Sequence, residues 1–538
     1  MRLARVEWRN YRKLLGSGID IRKNLTLVGP NDVGKSSILR AIDLCLGATQ
    51  SRLFSSISLR DFTDPGEPLQ IRVVLDIFSD DERAAFPDEI TVEPEEHLVI
   101  EVEATVDPED PESIAVRRYF PEGGHERQPT RQQLAMLGFH YIPASRSLYR
   151  ELGGSSGGAM KALLAGIDLG DDASSFADAV AEMRTALDSA AALVAFREDI
   201  ARSLSDALPG EINAADLRVV AESDLLQNPL GGVTVTLADG EHDAPLAEQS
   251  DGMRALSALT LLSMARQDAK IVAIDEPETH LHPLAQRSVI RNLSASGGQR
   301  IFATHSPSVV AATEPMDLAV VRANRSVKQL PAGSSLEKSE MTIRHWSSRM
   351  IEPLTARVVV LVEGASDQIL VERVAELRGA SLDRLGIAIF NLEGAELFKK
   401  AYEVYGPRGF DVPLVGMVDE DHRSTWADVV GVPAAQLDKA GSGYVVCAPD
   451  LEGEYVTALG VDAVVAAIAD SPLLGESSLL RSTSSSSTSE LTAEQLIEFC
   501  GHKKRKVLAA LAVGQALDAT SAGKLAPILS LLQLAVAS

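Results

Sequence analysis

Leu25-Thr-Leu-Val-Gly29-Pro-Asn31-Asp-Val-Gly34-Lys35-Ser36-Ser37-Ile-Leu39 is an apolar strand that runs into a glycine loop and then into an amphipathic helix. Gly29 and Gly34 let the backbone turn tightly, so that N–H groups of the loop that also holds Asn31 and Ser37 face phosphate oxygens. Lys35 adds a point charge, and the Ser36 hydroxyl is placed to ligate Mg²⁺. A helix beginning near Gly34 aims its positive end at the same anion. The spacing G-x-x-x-x-G-K-S arises by chance in unrelated chains. Here the apolar strand before it and Ile38, Leu39, Ile42 and Leu46 after it, at helical spacing, supply the context that the chemistry needs. The stretch reads as a cradle for nucleotide phosphates.

The chain has 538 residues, enough for roughly three to four domains at about 150 residues each. Its composition is that of an ordinary globular protein, and no apolar run approaches the roughly 18 residues that would span a membrane. The opening Met1-Arg-Leu-Ala-Arg-Val-Glu-Trp8 alternates like a strand and lacks the apolar core of a signal peptide, so a cytoplasmic, non-membrane protein is expected. Cys45, Cys447 and Cys500 are far apart and form no C-x-x-C, which points to a reducing compartment and away from structural zinc. A formal net charge of −25 excludes a surface that binds phosphate backbones everywhere, so contact with nucleic acid must come from local basic patches or bound cations.

Residues 2–8, 24–28 and 70–78 read as strands, and 98–106 with 113–120 flank a turn-rich Asp107-Pro-Glu-Asp-Pro as a hairpin arm. After a further short strand at 139–142, glycines 153–158 open an Ala/Leu-rich stretch, 159–226, whose spacing fits helices. Three pieces then follow in a fixed order. Gln249-Ser250-Asp-Gly252-Met-Arg254 precedes a helix. Lys270-Ile-Val-Ala-Ile-Asp275-Glu276-Pro-Glu-Thr-His280-Leu-His282-Pro is a buried strand ending in two carboxylates. Arg300-Ile-Phe-Ala-Thr-His305-Ser-Pro is another ending in a histidine. With the glycine loop, four pieces in one order are far more specific than any one of them.

Together these pieces resemble an ABC-type ATPase head of the kind found in chromosome-maintenance and recombination ATPases. The resemblance implies ATP bound by Gly29, Asn31, Gly34, Lys35, Ser36 and Ser37, with Mg²⁺ held through Asp275. It also implies Glu276 orienting or deprotonating the attacking water and His305 contacting the γ-phosphate. Ser250 and Gly252 would reach the nucleotide of a second copy, so a homodimer or higher oligomer is expected, with 159–226 as the self-association surface. Ser-Asp-Gly stands where the family has Ser-Gly-Gly. His280 and His282 read as structural rather than as metal ligands, Arg146 as either a phosphate or interface arginine or a surface ion pair, and Asp61-Phe62 as a connection between lobes.

Beyond a polar stretch at 324–340, a domain boundary is expected near 350. Arg357-Val-Val-Val-Leu-Val-Glu363-Gly-Ala-Ser-Asp367, a strand at 387–391, and Val412-Pro-Leu-Val-Gly-Met-Val-Asp419-Glu-Asp421 alternate with helices. This implies a second parallel sheet with carboxylates at its C-terminal edge. In extended backbone residues i and i+2 project to one side, so Asp419 and Asp421 are expected to share a divalent ion with Glu363. Such an oxygen-rich site suits Mg²⁺ or Mn²⁺.

This second half resembles a Toprim domain, and an ABC head followed by Toprim resembles the OLD (overcoming lysogenization defect) family of ATP-dependent nucleases. The resemblance implies a two-metal site held by Glu363, Asp367, Asp419, Asp421 and Glu452, with Lys506 of Lys503-Lys-Arg-Lys506 as catalytic lysine; a basic helix end or DNA-contacting patch is the plain alternative there. It further implies DNA as substrate, a helicase-like or defence-system partner, and a role in DNA repair or in defence against phage or plasmids. The expected organisation is α/β throughout: a P-loop ATPase in two parts (1–150 and 231–345), a helical insertion (151–230) and a Toprim domain with C-terminal helices (353–538). The alternative is a non-catalytic DNA-maintenance clamp with a structural Toprim half. A topoisomerase or primase would need a strand-passage tyrosine domain or a template-binding module, and neither is recognisable.

Overall fold

The computed structural model describes residues 1–538 except 17, 111–112, 124–125, 145–181, 183–184, 208–210, 222–232, 240–241, 266–269, 296, 332–348, 350 and 440. The described residues form two compact units, one from Met1 to Val327 and one that begins at Lys328 and continues from Arg349 to Ser538. Among them no helix is long and apolar enough to cross a membrane.

In the first unit two kinds of strand follow from two kinds of patterning. Leu69–Asp76 alternates buried and half-exposed residues and lies in an antiparallel sheet ordered Gly18–Asp20, Arg2–Arg9, Leu69–Asp76, His97–Val106, Ile90–Thr91, with Ile114–Tyr119 also on His97–Val106. Leu25–Val28, Ile271–Asp275 and Gln299–Thr304 are instead buried along their whole length, as strands covered on both faces must be. With Leu318–Val321 and Phe139–Ile142 they form five adjacent parallel strands, ordered Leu318–Val321, Leu25–Val28, Gln299–Thr304, Ile271–Asp275, Phe139–Ile142. Register pairs Val28 with Thr304 and Asp275 with Ala303, so three strands end together on one edge. The helix Lys35–Leu46 starts from that edge and touches strands of both sheets. Its far end is held by Arg118, fully buried, whose Nη1 donates to the carbonyls of Leu44, Cys45 and Ala48. A cation thus sits at the negative pole of the phosphate-loop helix.

The stretch read as helical departs from expectation. Ala191–Ala207 is a helix, but Leu217–Ala221 is a strand, paired antiparallel with Val233–Asp239, which pairs in turn with His242–Pro245. Leu217 and Val219 are buried by that pairing, and a partner strand supplied from outside the segment decides for β where local Ala/Leu content favours helix. The described helix is also no free face: Ile200, Ala201 and Leu204 pack in one core with Leu256, Leu259 and Ile290. A self-association surface running along all of 159–226 therefore cannot include this side. Most of the remainder, with Arg146, lies outside the described residues.

The second unit is a parallel sheet ordered Ile387–Asn391, Val358–Val362, Leu414–Asp419, Tyr444–Cys447. Val358–Val362 is buried at all five positions. Helices cover it, and the chain's last segments are part of that cover: Lys506–Ala516 packs on Ala365–Leu377, and Ala526–Ala537 on the two strands Leu414–Asp419 and Tyr444–Cys447. The serine-rich 482–489 begins inside the helix Glu476–Thr483 and leads into a short 3-10 turn, Thr488–Glu490.

Candidate functional site

The aligned strand ends of the first unit carry the predicted nucleotide residues. Gly34 has φ 115°, and a Cβ there would sit 2.5 Å from Leu14 Cδ2; a Cβ on Gly29 would sit 2.3 Å from the Val321 carbonyl oxygen. The loop therefore holds its shape only with glycine at both places. Gly29→Ala should lower stability by roughly 1–3 kcal/mol and more than Gly34→Ala, because a carbonyl cannot swing aside as the Leu14 side chain can. Thermal melting of the two variants, alongside binding of a fluorescent nucleotide, checks the order.

Lys35 is folded over its own loop, its Nζ donating to the carbonyls of Gly29 (2.9 Å) and Pro30 (2.7 Å), and burial pulls its pKa down. Ser36 donates to Asp275, whose Oδ2 also accepts from Tyr141 Oη at 3.4 Å while Oδ1 has no partner; burial pushes this carboxyl's pKa up. Glu276 follows at φ 50°, a left-handed conformation unusual for glutamate, pinned by its N–H donating to the Ala303 carbonyl at 2.8 Å. Strain of this kind aims the side chain off the strand end. His305, half exposed, places Nδ1 3.9 Å from Glu276 Oε1 and 3.3 Å from Glu278 Oε1.

Glu278 was not singled out from the sequence. It is buried, and its Oε1 accepts from Thr304 Oγ1 (2.7 Å) and the His305 backbone N–H (2.8 Å), so it fixes the turn that presents His305. Also missed were the cations of a cavity of about 830 Å³, which is lined by Asn31, Gly34, Lys35, Ser36, Ser37 and Glu276 and additionally by Arg12, Lys13, Arg60 and Arg325. Arg12 donates to Ser37 Oγ (2.8 Å) and to Asp61 Oδ1 (2.9 Å), which ties Asp61 to the phosphate loop. The signal was present as Asn10-Tyr-Arg12-Lys13, two cations immediately after the first strand. Cavity, cations and an unpartnered Asp275 oxygen fit a nucleotide polyphosphate with its Mg²⁺.

Ser250 and Gly252 do not line that cavity. They start the helix Asp251–Ala265, where Ser250 Oγ accepts from the Met253 N–H at 3.4 Å and a Cβ on Gly252 would be 2.9 Å from the His280 carbonyl oxygen. His280, at φ 65°, thus serves as backbone packed against the signature helix.

In the second unit the sheet edge brings together Glu363, Asp419, Glu452 and Lys506. Glu363 Oε1 accepts from the Asp419 N–H (3.0 Å), and Asp419 Oδ1 from the Leu451 N–H (3.1 Å). Lys506 Nζ lies 3.2 Å from Glu452 Oε2 and 3.5 Å from Asp419 Oδ2. Glu452 is 1% exposed; its Oε2 takes the Lys506 ammonium, and its Oε1 has no partner. Asp367 caps its own helix, accepting from the Gly364 N–H at 2.8 Å.

The extended backbone expected through Asp421 stops at Asp419, because Glu420–His422 is a 3-10 turn. Asp421 is consequently 74% exposed, 2.9 Å from His422 Nδ1, which itself is 3.4 Å from Glu363 Oε2. Among the described residues no three His, Cys, Asp or Glu side chains are grouped as a metal would hold them. The Lys506 ammonium lies between two of the expected ligands. The donor set nonetheless fits a hard divalent cation, since it is all oxygen and contains a buried carboxylate atom without a partner, Glu452 Oε1.

Burial raises three of these carboxyls. Glu363 goes to about 8, with Asp419 adding repulsion; Asp419 goes to about 6 and Glu452 to about 7, both opposed by Lys506. Burial alone would lower the pKa of Lys506, but the attraction of Glu452, Asp419 and Asp367 outweighs it and the net shift is upward. Carboxyls with raised folded-state pKa values contribute stability that is complete below their ordinary values, near 4 to 4.5, and lost as pH rises through about 6 to 8. The metal-free protein should therefore melt at lower temperature at pH 8.5 than at pH 6, and added Mn²⁺ should recover more of the loss at pH 8.5. Melting curves at the two pH values, with and without Mn²⁺, measure both.

Fold and sites together define a P-loop ATPase head with a Toprim domain on the same chain. Residues 25–311 match the family model "AAA domain, putative AbiEii toxin, Type IV TA system", and residues 354–421 match "Overcoming lysogenization defect protein-like, TOPRIM domain". The chain belongs to that AAA-domain family and joins it to an OLD-like TOPRIM domain, the OLD architecture. A curated relative, the OLD nuclease of Thermus scotoductus, is 24% identical over 442 residues, covering 78% of this chain and 82% of the relative. Among solved structures, the SMC head domain from Thermotoga maritima is 16% identical with a TM-score of 0.33, covering 62% of this chain and 100% of its own. The C-terminal region of the Burkholderia pseudomallei OLD protein is 20% identical with a TM-score of 0.28, covering 34% and 98%.

Proposed function

We propose that this protein is an ATP-hydrolysing, divalent-metal-dependent DNA endonuclease that acts as a homodimer or larger homo-oligomer. The observation that carries the reading is the meeting of Glu363 and Asp419, both largely shielded, and the buried Glu452 with Lys506 at the carboxyl edge of a sheet. The nuclease named among its relatives supports it.

A divalent ion bound there supplies charge neutralisation at the phosphodiester and an activated water. Glu363, Asp419 and Glu452 would hold it, with Asp367 and Asp421 flanking. Lys506, released from its ion pairs, donates to a phosphate oxygen as negative charge develops. In the head, Lys35 leaves the Gly29 and Pro30 carbonyls to meet phosphate, Glu276 takes a proton from water, and Glu278 keeps His305 turned toward the γ-phosphate position. Ser250 and Gly252, outside their own chain's cavity, complete the site of a second head. DNA repair or defence against phage or plasmids, in the cytoplasm and alongside a helicase-like or defence-system partner, is the setting that fits such an enzyme.

The test incubates purified protein with supercoiled and linear DNA, with Mg²⁺ or Mn²⁺, with and without ATP. Metal-dependent nicking or linearisation is the expected result. Intact DNA under every condition would leave the clamp reading in its place.

A further inference from the structure

We propose that the turn His502-Lys503-Lys504 grips the phosphodiester backbone of the nucleic acid beside the carboxylate site; the inference rests on the nuclease reading of that site. In a protein of net charge −25, approach of a polyanion depends on local positive surface. Three arginines of this unit are already spent on carboxylates: Arg349 pairs with Glu393, Arg373 with Glu376, and Arg423 with Glu420 and Asp438. His502, Lys503 and Lys504 are exposed, and among the described residues no carboxylate lies at ion-pair distance from either lysine.

The turn is also held in place. Arg505 donates from Nε to the Phe499 carbonyl (3.1 Å) and from Nη1 to Ser482 Oγ (2.8 Å), with its guanidinium 4.4 Å from the Phe499 ring centroid. The N–H groups of Arg505 and Lys506 both donate to the His502 carbonyl, at 2.7 and 2.9 Å, and the Lys504 N–H reaches His502 Nδ1 at 3.3 Å. Lys506 then points inward to Glu452 and Asp419. Lys504 and Lys503 precede Lys506 by two and three residues, at most about 7 and 11 Å of backbone, so the outward lysines and the inward one straddle the rim of a single site. A strand held by Lys503 and Lys504 through adjacent phosphates lays the next phosphodiester over Lys506. Contacts of this kind read no bases, and they release counterions, which makes binding fall with salt by about 0.9 logarithmic units per phosphate neutralised on duplex DNA.

The experiment titrates a fluorescein-labelled duplex with the full-length protein, without divalent metal, from 50 to 300 mM NaCl on the order of those used for such slopes. It compares wild type with Lys503→Gln/Lys504→Gln and Lys503→Glu/Lys504→Glu. The expected result is a salt slope shallower by about 2 in the glutamine pair, weaker binding still in the glutamate pair, and unchanged melting temperature, ATP turnover and Mn²⁺ binding. Unchanged slopes in both variants of a protein that cuts DNA would overturn the grip and leave the nuclease reading intact. A wild type that never cuts, but whose slope falls on substitution, removes the nuclease reading and keeps the turn as the nucleic-acid contact.

Discussion

Asn in place of Asp419 is expected to lower metal-dependent DNA cleavage by roughly a thousandfold or more, since metal stabilisation of phosphoryl charge is worth several kcal/mol and about 1.4 kcal/mol is tenfold in rate. Asp419 ends its strand with one oxygen on the Leu451 N–H and the other 3.5 Å from Lys506, so the amide keeps the first contact while removing the charge from the second. The fold should survive the change. ATP turnover should stay near wild type, because the phosphate loop lies on a different sheet in a different compact unit. Plasmid nicking and phosphate release, measured on the same preparations, separate the two effects. If Asp419→Asn cuts like wild type, the carboxylate site is not the nuclease centre; if it loses ATPase as well, the two units are coupled. Asp421→Ala, at a position 74% exposed, is expected to have a smaller effect than Asp419→Asn, and equal effects would show that the turn after Asp419 closes when metal binds.

The second large effect is expected at Glu276. Glu276→Gln should slow ATP hydrolysis by roughly a hundredfold to ten-thousandfold, the usual worth of a general base, while nucleotide binding persists because Lys35, Ser36 and Asp275 are untouched. Retained ATP should then hold two heads together, visible as a larger sedimenting species. Lys35→Ala is the contrasting variant, since it removes the charge that leaves Gly29 and Pro30 for phosphate and should weaken binding itself. Wild-type turnover in Glu276→Gln, or an unchanged monomer with ATP present, would count against a composite site built from two heads.

The phosphate loop was legible because its requirements are local. Gly34 must turn left-handed, Lys35 and Ser36 must follow at once, and a buried strand must precede them, all within about 15 consecutive residues. The same holds for Asp275-Glu276 and Glu363, each announced by an apolar run that only a covered parallel strand tolerates, and for His305, announced by the shorter Ile301-Phe-Ala. Where a local pattern was extended one step too far, it failed. Alternation projected Asp421 beside Asp419, but the strand ended in between, and Ala/Leu spacing carried helix over Leu217–Ala221, where cross-strand pairing decided for β.

By itself, then, the sequence determined two α/β units, the order of their motifs and the residues at the strand ends, because strand burial and loop conformation are properties of contiguous residues. Only the tertiary structure decided what those residues meet. It put Glu278 under His305 across 27 positions, Arg12 on Ser37 across 25, and Lys506 against Asp419 and Glu452 by packing Lys506–Ala516 along Ala365–Leu377. Contacts of this kind depend on where helices and strands settle once apolar surface is buried, and a charged side chain's partner is set by that packing and not by its neighbours in the chain.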